Sequence, residues 1–207
     1  KDFGSSASKK FYKFTVPMQG GWDGLDIFDQ SKSAMDSLSS FREMDTNTST
    51  SLGGPNGPTT AAFRKALDIL AEKSDVDIQL LATPGMRTAG ITDYAIDKTE
   101  DRFDALYVLD MPAYDTSDNL VTTASQETSV SKTAQNLSNR NLDTSFAATY
   151  FPDLVMQDGS NNVVAPPSVA VLGALSLNDS VAHPWYAPAG FARGALASTI
   201  ETSVKLN

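Results

Sequence analysis

The chain has 207 residues, 41% of them hydrophobic and 20% charged, which is enough apolar material for a proper core in one large domain or two small ones. Its net charge of -9 and pI near 4.5 oppose a phosphate backbone, so nucleic acid is not an expected partner, and the same charge favours solubility. With no cysteine and one histidine, His183, the chain excludes disulfides, thiolate nucleophiles, zinc–thiolate centres and multi-histidine metal sites.

No apolar run approaches the length of a membrane span. The opening KDFGSSASKK lacks the apolar centre of a signal peptide. The chain starts without Met and ends without a stop signal, so it reads as a piece of a longer protein.

Residues 11–16 (FYKFTV) alternate and are rich in aromatic and β-branched side chains, which predicts a strand ended by Pro17. Residues 19–29 form a glycine-rich loop anchored by Trp22 and Phe28. A helix follows over 31–44, with Ala34, Leu38 and Phe41 on one face. Residues 45–58 (DTNTSTSLGGPNGP) have loop composition. The best-marked helix covers 59–73: Thr59 or Thr60 can cap it, and Phe63, Ala66, Leu67, Leu70 and Ala71 form an apolar stripe. Residues 76–82 (VDIQLLA) read as a strand stopped by the turn Thr83-Pro84-Gly85.

A second helix spans 88–102, with Ile91, Tyr94, Ala95 and Ile96 facing inward. Residues 103–109 (FDALYVL) make the next strand, 115–120 a loop, and 122–137 a weaker polar helix. Short apolar strands alternating with helices predict an α/β fold: a mixed, partly parallel sheet covered by helices on both faces. A long strand over 145–157, a turn at 158–161 and a partner strand at 162–165 add a β-hairpin near the C-terminal third. Pro166-Pro167 stops the pairing, and an apolar helix covers 169–177. Residues 183–190 (HPWYAPAG) form a rigid loop, and a further segment begins at Phe191.

Groups suited to chemistry are few. Asp29, Ser31 and Ser33 make a DxSxS pattern whose oxygens suit magnesium, as in a metal-dependent adhesion or ligand-binding α/β domain. The preceding residues are too interrupted for the buried strand such a site needs, so a solvated loop-to-helix start is the favoured reading. The run Gly53 to Pro58 precedes a helix as phosphate loops do, but no Gly-Lys-Ser/Thr follows. Asp110 falls at the C-terminal end of a parallel strand, where α/β sheets bind ligands, and Asp115 and Asp118 are near in sequence. A hydrolase would have to bring Asp110 to His183, and His183 beside Trp185 and Tyr186 reads better as a packed structural residue. Asp153 and Asp158 occupy ordinary strand-end and turn positions. Neither a cofactor nor a catalytic or metal-ligating set is expected.

Residues 150–194 carry the most specific signal: Tyr150-Phe151-Pro152, the hairpin with Asp158, Pro166-Pro167-Ser168 opening a helix with Gly173, then Trp185, Ala187-Pro188-Ala189-Gly190 and Arg193-Gly194. This order resembles the tail sheath proteins of contractile-tailed bacteriophages, with their aromatic-Pro strand, "PPS" helix start and W-x-A-P-A-G-x-x-R-G loop. Softer similarity extends upstream through VPMQGGWDGLD at 16–26 and the strands at 78–85 and 105–112, so it covers most of residues 11–194. The resemblance implies a single sheath-body domain over 1–207, without the family's N-terminal arm and C-terminal domain.

It further implies a structural virion protein rather than an enzyme, made in the host bacterial cytoplasm. Its partners would be copies of itself in helical stacked rings, the tail tube protein, and baseplate and tail terminator proteins. Terminal arms add strands to neighbouring sheets. Contraction would draw on the difference between two packings of folded subunits, driving the tube through the host envelope. Tyr150, Pro152, Pro166, Pro167, Trp185, Pro188, Gly190 and Arg193 become structural or interface residues. Trp185, Tyr186 and Phe191 read slightly better as core within the domain than as contacts with a neighbour.

Overall fold

A computed structural model describes residues 35–45, 53–123, 125–183 and 185–206. The strand expected at 11–16, the glycine-rich loop at 19–29 and the DxSxS residues Asp29, Ser31 and Ser33 lie outside them.

Helix α1 (Ser37–Met44) starts later than its apolar spacing predicted, because the Asp36 carboxylate accepts from the Ser39 amide and sets the cap. A short 3-10 turn (Gly54–Asn56) leads into α2 (Pro58–Leu70), with Pro58 in its first turn. Neither threonine caps α2. The cap position is Gly57, and Glu43 of α1 takes the Thr59 and Thr60 amides at 2.8 and 2.7 Å. Its carboxylate meets the positive end of the helix dipole.

Strand β1 covers only Leu80–Ala82. It pairs in parallel with β2 (Leu106–Asp110), Leu80 opposite Leu106. Before Leu80 the Gln79 carbonyl still accepts from the Leu106 amide at 2.9 Å, and the pairing stops there, since Phe103 on the facing segment caps α3 (Ala89–Arg102) in the left-handed conformation, φ 62. That cap also removes Phe103 from the predicted strand. Between β1 and α3, the Met86 amide donates to the Thr83 carbonyl, and Gly85, at φ +77, takes the position of that turn that favours glycine.

The predicted strand at 145–157 is two strands. β3 (Ala147–Tyr150) pairs in parallel with β2, and β4 (Leu154–Asp158) belongs to a separate antiparallel sheet. Pro152, which follows Phe151 through a cis peptide, has no N–H to continue the ladder, and the chain changes sheets there. The hairpin partner β5 (Asn161–Ala165) joins β4 through Gly159-Ser160, with Gly159 at φ +58. The sheets are ordered β1-β2-β3 and β5-β4-β6, where β6 is Thr199–Thr202.

Helix α4 (Val130–Asn139), capped by Ser129, links β2 to β3. Helix α5 (Pro167–Val181) packs on β2 and β3, and a short helix α6 (Gly190–Arg193) follows. β2 is apolar almost throughout because both its faces are covered. Tyr107 and Leu109 join Leu67, Leu81, Met86, Ile91, Ala95 and Ile96 in one core, with Leu137 of α4 against it. Alternation turns Val108 and Asp110 to the α5 side. The fold is thus mixed α/β with helices on both faces of the parallel sheet, as expected. Among the described residues no helix is long and apolar enough to cross a membrane.

Candidate functional site

The C-terminal ends of β1, β2 and β3 converge where an open α/β sheet usually binds ligands. Asp110 ends β2 and is 1% exposed. One carboxylate oxygen accepts from the Ser168 amide at 3.1 Å, and the other from the Ser168 hydroxyl at 2.6 Å and the Gly85 amide at 3.0 Å. Three internal donors occupy the carboxylate and pin the first turn of α5 and the turn after β1 to the central strand. This explains the "PPS" sequence: Pro167 starts the helix, and Ser168 supplies two of the three donors to Asp110.

Asp115 and Asp118 do not join Asp110. Asp115 accepts from the amide and side chain of Asn119 and from the Ser117 amide of its own turn, and those bonds, Asn119 foremost, hold its carboxyl below the usual carboxylate range. Asp118 accepts from Asn136 at 2.6 Å. His183 is exposed and stacks on Trp185, ring centroids 4.7 Å apart. It follows α5, whose 15 residues run roughly 22 Å from the Asp110 end. The pairing a hydrolase would need is not made. Among the described residues no group of three His, Asp or Glu is placed to hold a metal ion.

The glycine-rich run before α2 is also filled from within. The Glu43 carboxylate sits where a phosphate would, against the first amides of α2.

Beside Asp110, Arg87 forms a forked contact to Asp153, with Nη2 2.8 and 2.7 Å from the two carboxylate oxygens. Nη1 of Arg87 donates to the Met111 carbonyl at 3.3 Å, and its amide to the Ser37 hydroxyl. Arg87 thereby ties α1, the end of β2 and the entry to β4. The pair borders an open cavity of about 760 Å³ between the antiparallel sheet and the loop after β2. A second cavity, about 700 Å³, lies between α4 and β3, and none of its lining side chains is titratable.

The family-like residues divide between framework and surface. Pro152 and Pro167 are buried, Pro166 takes the cap position of α5, and Tyr150 ends β3 at 40% exposure. Several contacts tie the loop after α5 to the helix and to itself. Asn178 donates to the Tyr186 carbonyl at 2.8 Å, the Tyr186 amide donates to the His183 carbonyl, and the Arg193 guanidinium lies 5.0 Å over the Tyr186 ring. Gly190 has φ +74, and a Cβ on Gly194 would come within 2.9 Å of the Pro188 carbonyl oxygen, so the loop closes only with glycine there.

The large side chains of this loop nevertheless point outward: Trp185 is 76% exposed and Phe191 fully so. The intradomain-core reading of Trp185, Tyr186 and Phe191 is therefore corrected. The loop folds back on Tyr186 through its backbone and Arg193, which leaves the other two rings without a core to enter.

Sequence reasoning missed Glu43 and Arg87. Each acts on a partner 16 or 66 residues away, and no local spacing signals that. No protein-family model matches the chain, and no curated protein matches it significantly.

Proposed function

We propose that the chain is the body of a contractile tail sheath protomer. Copies of it would stack as rings around a tail tube protein, bounded by baseplate and tail terminator proteins, in the virion. The motif order across residues 150–194 is the basis of this reading. The observation that carries it beyond the sequence is the loop at 183–194, held in place by Asn178 and Arg193 while Trp185 and Phe191 face solvent. Exposed aromatics on a loop tied down by such contacts are costly for a lone subunit and suited to a contact surface. Among the acidic groups with defined partners, Glu43, Asp110 and Asp153 are engaged in holding elements together.

Negative-stain electron microscopy of the full-length protein tests this. Helical tubes or stacked rings are expected. Dispersed particles at every salt and magnesium concentration overturn the reading. The Trp185→Ala variant is expected to keep native stability within about 0.5 kcal/mol, as an exposed substitution should, and to form fewer or no tubes.

A further inference from the structure

The antiparallel sheet is weakly joined to the rest of the molecule. Its ladders run only within β5-β4-β6. Prolines interrupt the chain on entry at Pro152 and on exit at Pro166-Pro167, removing the amides that would carry pairing across. Of its strand residues Leu154 alone is buried, and Val163 and Val164 are 46% and 48% exposed. Among the described residues, the side-chain hydrogen bonds between this sheet's entry and the body are those of Arg87 to Asp153.

The 760 Å³ cavity separates the two parts. Val155, Val164 and Val204 line it from the sheet side, and Leu38, Phe41 and Val121 from the body side. These apolar side chains share the lining with polar ones, among them Thr122, Gln126, Glu127 and Lys205, and bringing the apolar ones together would remove their surface from water.

We propose that the antiparallel sheet is a flap that closes over this cavity, and that the Arg87–Asp153 ion pair is the latch holding it open. The hinges are the backbone bonds around Phe151–Asp153, Ala165–Pro166 and the Gly194–Ser198 connection, at the ends of elements where torsion changes cost least packing. The latch works by geometry: Arg87 spans from the Met111 carbonyl to Asp153, so it fixes the root of β4 relative to the end of β2. Both side chains of the pair keep about a fifth of their surface exposed, so salt and substitution can reach it. The flap does not depend on the sheath reading.

Because the chain has no cysteine, two spin labels can be placed without background. Ser131→Cys on α4 and Asn162→Cys on β5 are both at exposed positions. Double electron–electron resonance on the full chain should give one long distance. In Arg87→Ala a shorter distance should appear and its population should rise several-fold, with Arg87→Lys in between. The unsubstituted latch should respond in the same direction on raising salt to about 1 M, where screening reaches only a few ångströms. This second arm decides alone if Arg87→Ala does not fold. A shorter population in either arm supports the flap. An unchanged or longer distance in every arm that can be measured overturns it.

Discussion

At the scale of single residues, three buried polar groups account for much of how the body holds together. Glu43, 2% exposed, caps α2 from another helix, and Gly57 leaves the room it needs: a Cβ there would lie 2.5 Å from the Glu43 side chain. Glu43→Ala is expected to cost about 2 kcal/mol, as loss of a charged cap. Gly57→Ala should also destabilise, but much less when Glu43 is already Ala, and urea unfolding of the four-member cycle measures that coupling. Asp110→Ala strands the Ser168 and Gly85 donors and should cost about 3 kcal/mol. Tyr107 is fully buried, and burial pushes its phenol up to about 12. Between pH 10 and 12 the unfolded chain loses this proton while the folded chain keeps it, so the stabilisation present below pH 10 is lost as pH rises. The loss is about 3 kcal/mol for two units. Urea midpoints at pH 9 and 11.5 should fall less steeply for Tyr107→Phe than for the native chain. Equal slopes would remove Tyr107 as the cause.

At the scale of elements, the amphipathic helices are legible except for the polar one expected over 122–137, which begins only at Val130 after its Ser129 cap, and the strands only partly so. Ile91, Ala95 and Ile96 mark the inner face of α3 by spacing alone, and all three are buried. The stripe of α2 holds at Leu67, yet Ala66 is exposed, since the core covers a narrower band than the stripe allows. A strand, unlike a helix, needs a partner to define its ends. Val76 has strand-forming character, but its carbonyl accepts from Arg102 instead, in the turn below the sheet. The run at 145–157 has strand character throughout, and only the paired neighbours on either side of Pro152 divide it between two sheets. Hydrogen exchange should reflect this division. Amides of the central, covered β2 should be the slowest, and those of the exposed edge strand β5 faster by orders of magnitude. Comparable protection in both would mean the antiparallel sheet is far better anchored than its burial indicates.

At the scale of the whole molecule, assembly is the property to measure. The exposed Trp185 and Phe191 flank backbone that Asn178 and the loop's own bonds at Tyr186 and Gly194 hold in place, so they are available to a neighbour without breaking those contacts. The competing reading, magnesium binding by Asp29, Ser31 and Ser33, predicts a rise in thermal midpoint with magnesium, because a ligand bound only to the folded state stabilises it. On the sheath reading the midpoint should not move up to millimolar magnesium. A rise that disappears in Asp29→Ala would favour the metal site.

The sequence by itself determined the α/β class, the helix faces, the hairpin turn and the proline-marked start of α5, because each depends on contacts within a few residues or on a simple period. It also carried the motif order on which the proposed sheath function rests. Only the tertiary structure decided that Asp110 is a brace rather than a reactive carboxylate, that Glu43 fills the glycine-rich helix start, and that Arg87 holds Asp153. Those roles depend on which atoms meet after the chain has folded, and no local pattern encodes a meeting across 16, 58 or 66 residues.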